Sequence, residues 1–373
     1  MPRRVSSCAT LWFACAIAMV AFSSVAAFTP PSQKREAGKQ PAARSNGAAV
    51  GMIASVLNGI DFVPILREPA QVLAVHRFPH DKRQPRPRGI DGLNTFVVSG
   101  VVKQGGATVA LSGIGADELF GGYPCFAKAQ KLARFLKPLA FVPPRLRRSA
   151  AAAALAALPA GKRAKAVDLI AGGGSCVELA ASLRRVTSGR DLRSLGLDPK
   201  PLELSEQYLP ASAFDAFTDP GGDPFNAVSQ AESFLYMGNT LLRDADVNSM
   251  AHSLEIRVPF LGRWLVDLVG AMPGDVKAPQ GGLPKHLLRK AAGAILPHDL
   301  FSRPKRGFTL PIGEWMFGPL RGECEAAIDT LAGCSALDGA AVRRLWDSYR
   351  SQPGAIHWSR PLALVVLGNS LRR

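Results

Sequence analysis

Ser112, Gly113, Gly115, Asp117 and Glu118 stand in one short run, Leu111–Tyr123, whose residue types suit phosphate chemistry. Glycines beside a serine let the backbone turn tightly and leave N–H groups uncovered, as a phosphate or carbonyl oxygen would need. Carboxylates repel phosphate, but they serve it by holding Mg²⁺, which bridges to phosphate oxygens. The run therefore suggests metal-assisted nucleotide chemistry. A plainer account also stands: a strand-to-helix turn whose Asp and Glu cap the helix start.

The elements that must position this turn are legible around it. Thr108–Leu111 is apolar and β-friendly, the pattern of a short buried strand. Before it, Thr95–Gln104 reads as a helix packing through Phe96, Val97, Val98, Val101 and Val102, interrupted by Gly100, with Thr95 at its N-terminus. Phe234–Met250 has apolar residues near helical spacing and reads as buried helix. Within it, Asp244 and Asp246 lie close to Arg243, as in ordinary helix-surface pairing. Glu255 and Arg257 alternate with Leu254, Ile256 and Val258, a half-buried strand pattern. His252 reads as a packed or capping histidine. Helices are further expected at Pro124–Lys137, Pro144–Ala157, Lys162–Ile170, Val177–Val186, Lys285–Ile295, Gly339–Arg350 and Pro361–Leu371. The whole is an α/β opening with a mostly helical remainder.

Ser112–Tyr123 resembles the Ser-Gly-x-Gly-x-Asp-Glu-Leu-Phe-Gly-Gly-Tyr signature of the synthetase domain of glutamine-hydrolysing asparagine synthetases. Leu241–Leu261 and Pro304–Ile312, with Trp315 behind the latter, are similar to the same family in the same order, and Asp91–Thr95 resembles the segment before the signature. The resemblance covers residues 89–373. It implies an α/β fold class: an incomplete parallel-sheet ATP-pyrophosphatase-type domain with a mostly helical C-terminal part.

What the resemblance implies chemically is ATP-dependent amidation of aspartate to asparagine through β-aspartyl-AMP, releasing AMP and pyrophosphate. ATP and Mg²⁺ are the implied cofactors; aspartate and ammonia are the implied substrates. Ser112, Gly113 and Gly115 would contact the nucleotide, with Thr95 facing the adenylate. Asp117 and Glu118 would hold Mg²⁺. Lys305 would lie against the phosphate or acyl-adenylate as a point charge. Asp246, Glu255 and Arg257 would shape the acyl-adenylate pocket. The alternatives are a related carboxylate-adenylating synthetase, β-lactam-forming or peptide-modifying, and a truncated non-catalytic fragment.

Several departures from the family pattern carry consequences. Position 2 is Pro, and no glutaminase-like stretch follows it, so ammonia is expected free or from a separate glutaminase domain or subunit. No Ser-Gly-Gly-x-Asp-Ser loop precedes Asp91; Ser99-Gly100-Val101 lacks its second Gly and its Asp-Ser. Hydrogen bonds to a charged phosphate contribute about 1.5–3 kcal/mol each, so lacking such a loop is expected to weaken catalysis severely. Gly262 stands where the family usually has Asp.

The 373 residues carry a net charge of +16, with 47% hydrophobic and 20% charged residues, which excludes a wholly disordered chain. The basic residues are scattered, without aromatic interleaving or a nucleic-acid-binding motif, so no nucleic-acid partner is expected. The six cysteines form no CxxC pair and no metal-ligand spacing, as for small buried residues in a reducing compartment. Residues 1–28, with Arg3 and Arg4 before an uncharged stretch, read as a signal-like or anchor-like leader, and 29–88 as linker or unassigned. An ATP-using enzyme belongs in the cytoplasm; export or membrane contact through the leader is the alternative. The conflict raises the expectation that the true start lies elsewhere.

Overall fold

The computed structural model describes residues 90–371 other than 140, 159, 173, 198–221, 294, 297–310, 353 and 355. The leader, the linker and the Lys305 segment lie outside the described residues. Helix α1 (Ile90–Gln104) starts earlier than its apolar pattern suggests, so Thr95 sits inside it and not at its N-terminus. Phe96, Val97, Val98 and Val102 are buried as expected. Gly100, a weak helix former, has a steric reason: a Cβ there would stand 3.0 Å from His252 Cε1.

The strand β1 (Val109–Leu111) and the short helix α2 (Ala116–Phe120) follow. Next come α3 (Pro124–Leu136), α4 (Pro144–Ala154) and α5 (Ala160–Ala171). The helices α6 (Cys176–Arg184), α7 (Gly189–Ser194) and α8 (Pro224–Ala231) each begin behind a side-chain cap, from Ser175, Ser188 and Asp223 respectively. After Ala231 the winding widens to a π segment, Glu232–Leu242, before tightening into α9 (Arg243–Met250). The expected Phe234–Met250 helix is thus present but not uniformly α. Beyond it lie β2 (Glu255–Arg257), α10 (Arg263–Gly270), α11 (Gly274–Lys277) and α12 (His286–Ala292). The chain closes with α13 (Ile312–Phe317), α14 (Arg321–Ala332), α15 (Gly339–Ser351) and α16 (Ser359–Leu371).

The described residues fall into two units, one of residues 90–122 and 236–296, the other of 123–235 and 311–371. In the first, β1 and β2 pair in parallel with Val109 opposite Glu255 and Leu111 opposite Arg257. A parallel pair needs a long crossover, and here the intervening chain runs from α2 to α9. Val98 and Val102 of α1 pack with Ala110 and Leu254 into one apolar cluster. Lys103 Nζ closes its edge by donating to the Ser253 carbonyl at 2.9 Å. His252 lies against Phe96, with ring centroids 4.2 Å apart, and burial pulls its pKa down; it is a packed histidine.

In the second unit α14 packs on α16 so closely that a Cβ at Gly368 would overlap the Ala327 carbonyl. Among the described residues its buried carboxylates are paired: Asp168 takes Arg185 at 2.6 Å and Arg148 at 2.9 Å, and Glu232 takes Arg184 at 2.6 Å. The Cys125 thiol donates to Glu232 Oε1 at 3.1 Å. Burial first, then the neighbouring Glu232 charge, push that thiol up to about 12. Cys125 and Cys324 are buried, and Cys176 and Cys334 half-buried. No helix among the described residues is long and apolar enough to cross a membrane.

Two outcomes follow from this packing. Gly368→Ala should lower the unfolding free energy by about 1–3 kcal/mol through overpacking, whereas Gly322→Ala, in open space on α14, should leave it unchanged or raise it by under ~1 kcal/mol. Denaturant titration of both variants checks this. The unfolded Cys125 thiol titrates near 9.0 and the folded one near 12, so its contribution is intact below pH 9 and is lost as pH rises toward 12. Unfolding free energy should therefore fall across that window, and less steeply in Cys125→Ala, when followed by denaturant unfolding at each pH.

Candidate functional site

At the C-terminal end of the parallel pair, the Ser112 N–H donates to the Arg257 carbonyl at 2.8 Å, extending the ladder by one residue. This end of a parallel sheet is where open α/β folds place their ligands. Ser112 is buried, and its hydroxyl accepts from the Ile114 N–H at 3.3 Å. Gly115 adopts φ +97°, a left-handed conformation that costs a side-chain-bearing residue, and a Cβ there would stand 2.5 Å from Leu261 Cδ2. The turn is therefore pressed against the Pro259–Leu261 corner that follows β2.

The N–H groups of this turn are less open than the glycine pattern suggests. Ser112, Ile114 and Gly115 donate as just given and below, and the Ala116 N–H donates to the Gly113 carbonyl at 3.2 Å. A folded turn needs its own internal bonds, and these use donors that the residue types alone leave unassigned.

The two carboxylates have different surroundings. Glu118 is wholly buried, and its Oε2 accepts from the Gly115 N–H at 3.1 Å, which caps α2. The helix-capping account is therefore correct for Glu118. Asp117 does something else: its Oδ1 meets Lys285 Nζ at 2.9 Å, with the two side chains only 7% and 10% exposed. Gly122 roofs this ion pair. A Cβ at that position would overlap Asp117 Oδ1 and stand 2.5 Å from Lys285 Cε. The Gly122 N–H in turn donates to the Asp117 carbonyl at 2.8 Å.

Lys285 was not among the residues singled out from sequence. It directly precedes α12 with φ +58°, a left-handed backbone rare for lysine. The signal that could have found it is the position of a lysine at a helix start just after Gly281-Gly282.

One apolar cluster holds these segments together. Ala116, Leu119 and Phe120 of α2 pack with Phe260, with Leu265 and Val269 of α10, and with Leu288, Ala292 and Leu296 in and after α12. Phe120 meets Phe260 edge-on, with centroids 6.3 Å apart. The signature turn, the Val-Pro-Phe-Leu corner and the lysine-bearing helix thus share a core.

The remaining expected site residues are placed as follows. Glu255 and Arg257 project from the same side of β2 and pair with each other at 2.8 Å, each more than half exposed. That hydrogen bond and charge hold the Glu255 carboxyl below its usual range and raise the Arg257 guanidinium. Asp246 is exposed on α9, while Asp244 is the carboxylate that this helix buries. Thr95 is half-buried on α1, which packs against α9. Lys305 lies outside the described residues.

The donor set suits a hard divalent cation. Asp117 already holds a cation on one carboxylate oxygen, and Glu118, the next residue of α2, supplies a second carboxylate that is engaged by the Gly115 N–H. No group of three or more His, Cys, Asp or Glu side chains that could hold a metal occurs among the described residues. Mg²⁺ is commonly bound in this way, by one or two carboxylates, with water and substrate phosphates completing the shell.

Comparison with known proteins shows the family. The family described as Asparagine synthase matches residues 86–371. A protein of Mycobacterium tuberculosis (strain H37Rv), provisionally described as a glutamine-hydrolysing asparagine synthetase, is 33% identical over 262 residues, which are 69% of this chain and 38% of the relative. Glutamine-hydrolysing asparagine synthetase 1 of Bacillus subtilis (strain 168) is 32% identical over 216 residues, 56% of this chain and 32% of the relative. The glutamine-hydrolysing asparagine synthetase of Bos taurus is 30% identical over 131 residues, 31% of this chain and 23% of the relative. The chain spans less than two fifths of the length of these relatives. No solved structure matches it.

Gly122→Ala should drive Asp117 and Lys285 apart. Breaking a buried ion pair costs about 3–5 kcal/mol, so the denaturant midpoint should drop sharply. An unchanged midpoint in urea unfolding would show that the pair does not close beneath this glycine.

Proposed function

This chain belongs to the asparagine synthase family, and on that footing we propose that it carries the synthetase half-reactions of an ATP-dependent amide-forming ligase. Its acceptor is aspartate. The side-chain carboxylate attacks the α-phosphorus of ATP, the α–β bridging bond breaks, and pyrophosphate leaves with β-aspartyl-AMP remaining. Ammonia then attacks the acyl carbon, AMP departs with the electrons of the C–O bond, and loss of a proton leaves asparagine. Adenylation is needed because a free carboxylate would have to expel oxide.

Catalysis of this kind is mainly positioning and electrostatic stabilisation of charge on phosphoryl oxygens. The observation that carries the proposal is the placement of Asp117 and Glu118, buried together beside a glycine turn at the C-terminal end of a parallel strand pair. In this reading the fold is of the ATP-pyrophosphatase type. Asp117 and Glu118 hold Mg²⁺, which when bound neutralises charge on the departing pyrophosphate. Ser112, Gly113 and Gly115 border the nucleotide, with Thr95 toward the adenylate. Lys305 supplies a positive charge to the phosphate or acyl-adenylate. Asp246, Glu255 and Arg257 line the acyl side. Ammonia comes free or from a separate glutaminase domain or subunit, and an ATP-consuming ligase of this kind works in the cytoplasm.

Given ATP, Mg²⁺, aspartate and ammonium, the purified protein should release AMP and pyrophosphate in equal amounts. Glu118→Gln keeps an oxygen able to cap α2 and removes the charge, so it should lower AMP release about a hundredfold while the protein stays folded. AMP release no greater in the wild type than in Glu118→Gln would end the proposal.

A further inference from the structure

Asp117 keeps a resident cation. Its carboxylate lies in a nearly closed environment, where an uncompensated charge is strongly unfavourable, and Lys285 Nζ compensates it at 2.9 Å. We propose that Lys285 is an exchangeable counter-ion: its ammonium holds the Asp117 carboxylate in the empty site and gives it up when a divalent cation arrives with nucleotide. The loop ahead of α12 is then a latch that is shut in the empty protein and released by the metal–nucleotide. This inference rests on the ATP-dependent reading above and adds to it how the empty site is maintained.

Three features support exchange over a permanent strut. An ammonium and a divalent ion on one carboxylate would sit within a few ångströms of each other, in surroundings that screen charge poorly, and would repel strongly. Departure of the lysine relieves that repulsion. The lysine is placed to depart: its backbone stands at φ +58° and ψ 36°, a strained conformation, at the end of a loop that begins with Gly281 at φ +73° and Gly282 and runs through Leu283 and Pro284. Leu283, in the same loop, is exposed, so little apolar contact anchors the loop. Glu118, by contrast, is tied to the turn through Gly115 and cannot take over the lysine without uncapping α2. The glycine at 122 leaves the space in which the lysine stem lies over the carboxylate.

The test uses the full chain, with Mn²⁺ as the probe followed by its electron paramagnetic resonance signal, and thermal melting beside it. Removing the ammonium removes the competitor. Lys285→Met should therefore bind Mn²⁺ alone about tenfold more tightly than the wild type does. Its melting temperature in chelator should fall by several degrees and be largely restored by Mn²⁺, because the metal now supplies the missing charge. Lys285→Gln gives the same comparison should the Met variant not fold. Equal Mn²⁺ affinity in variant and wild type, with no recovery of melting temperature, would overturn the exchange in a protein that still binds Mn²⁺–ATP, and would leave the ligase reading intact. Failure of the wild type and both variants to bind Mn²⁺, with or without ATP, would remove that reading and this inference with it.

Discussion

A carboxylate enclosed by protein has to be neutralised, and the pairing of Asp117 with Lys285 is the constraint around which the first unit is arranged. To place an ammonium there, the chain brings α12 against α2 and accepts a left-handed backbone at Lys285. To make room, it keeps position 122 free of a side chain. The apolar cluster beneath does the holding: Leu119 and Phe120 of α2 pack in one cluster with Leu288 and Ala292 of α12 and with Phe260. Burial of such side chains contributes roughly 1.5–3 kcal/mol each, enough to offset the desolvation that the pair entails.

The same economy explains how so little sheet can organise a site. Only three residues of each strand pair, yet their parallel register brings the Ser112 turn and the Arg257 carbonyl to one end. The same end carries the buried acidic pair Asp117 and Glu118 at the start of α2. Glu255 and Arg257, further along the exposed side of β2, satisfy each other and need no other partner to remain charged.

Much of this was legible from residue order. The helix-period apolar pattern located α1 and α9, the alternation at Leu254–Val258 located β2, and the glycine-rich turn with its acidic pair marked a candidate site. These are local properties: they depend on the spacing of side chains along one segment, which the backbone periods of helix and strand translate directly into faces. Gly100 was readable only as an oddity, because its reason is a ring from a residue far along the chain.

What could not be read was how each polar group would be used. Asp117 and Glu118 are neighbours in sequence and equivalent in type, yet one takes a lysine and the other caps a helix, because adjacent residues on a helix point in different directions. Asp244 and Asp246 divide in the same way, one inward and one outward, according to the rotation of α9. Lys285 lies too far from the signature for any pattern to connect them. Spacing and residue type specified the elements and marked a candidate site; the pairing of charges awaited the packing of distant segments, since a contact between them exists only after the apolar core has closed.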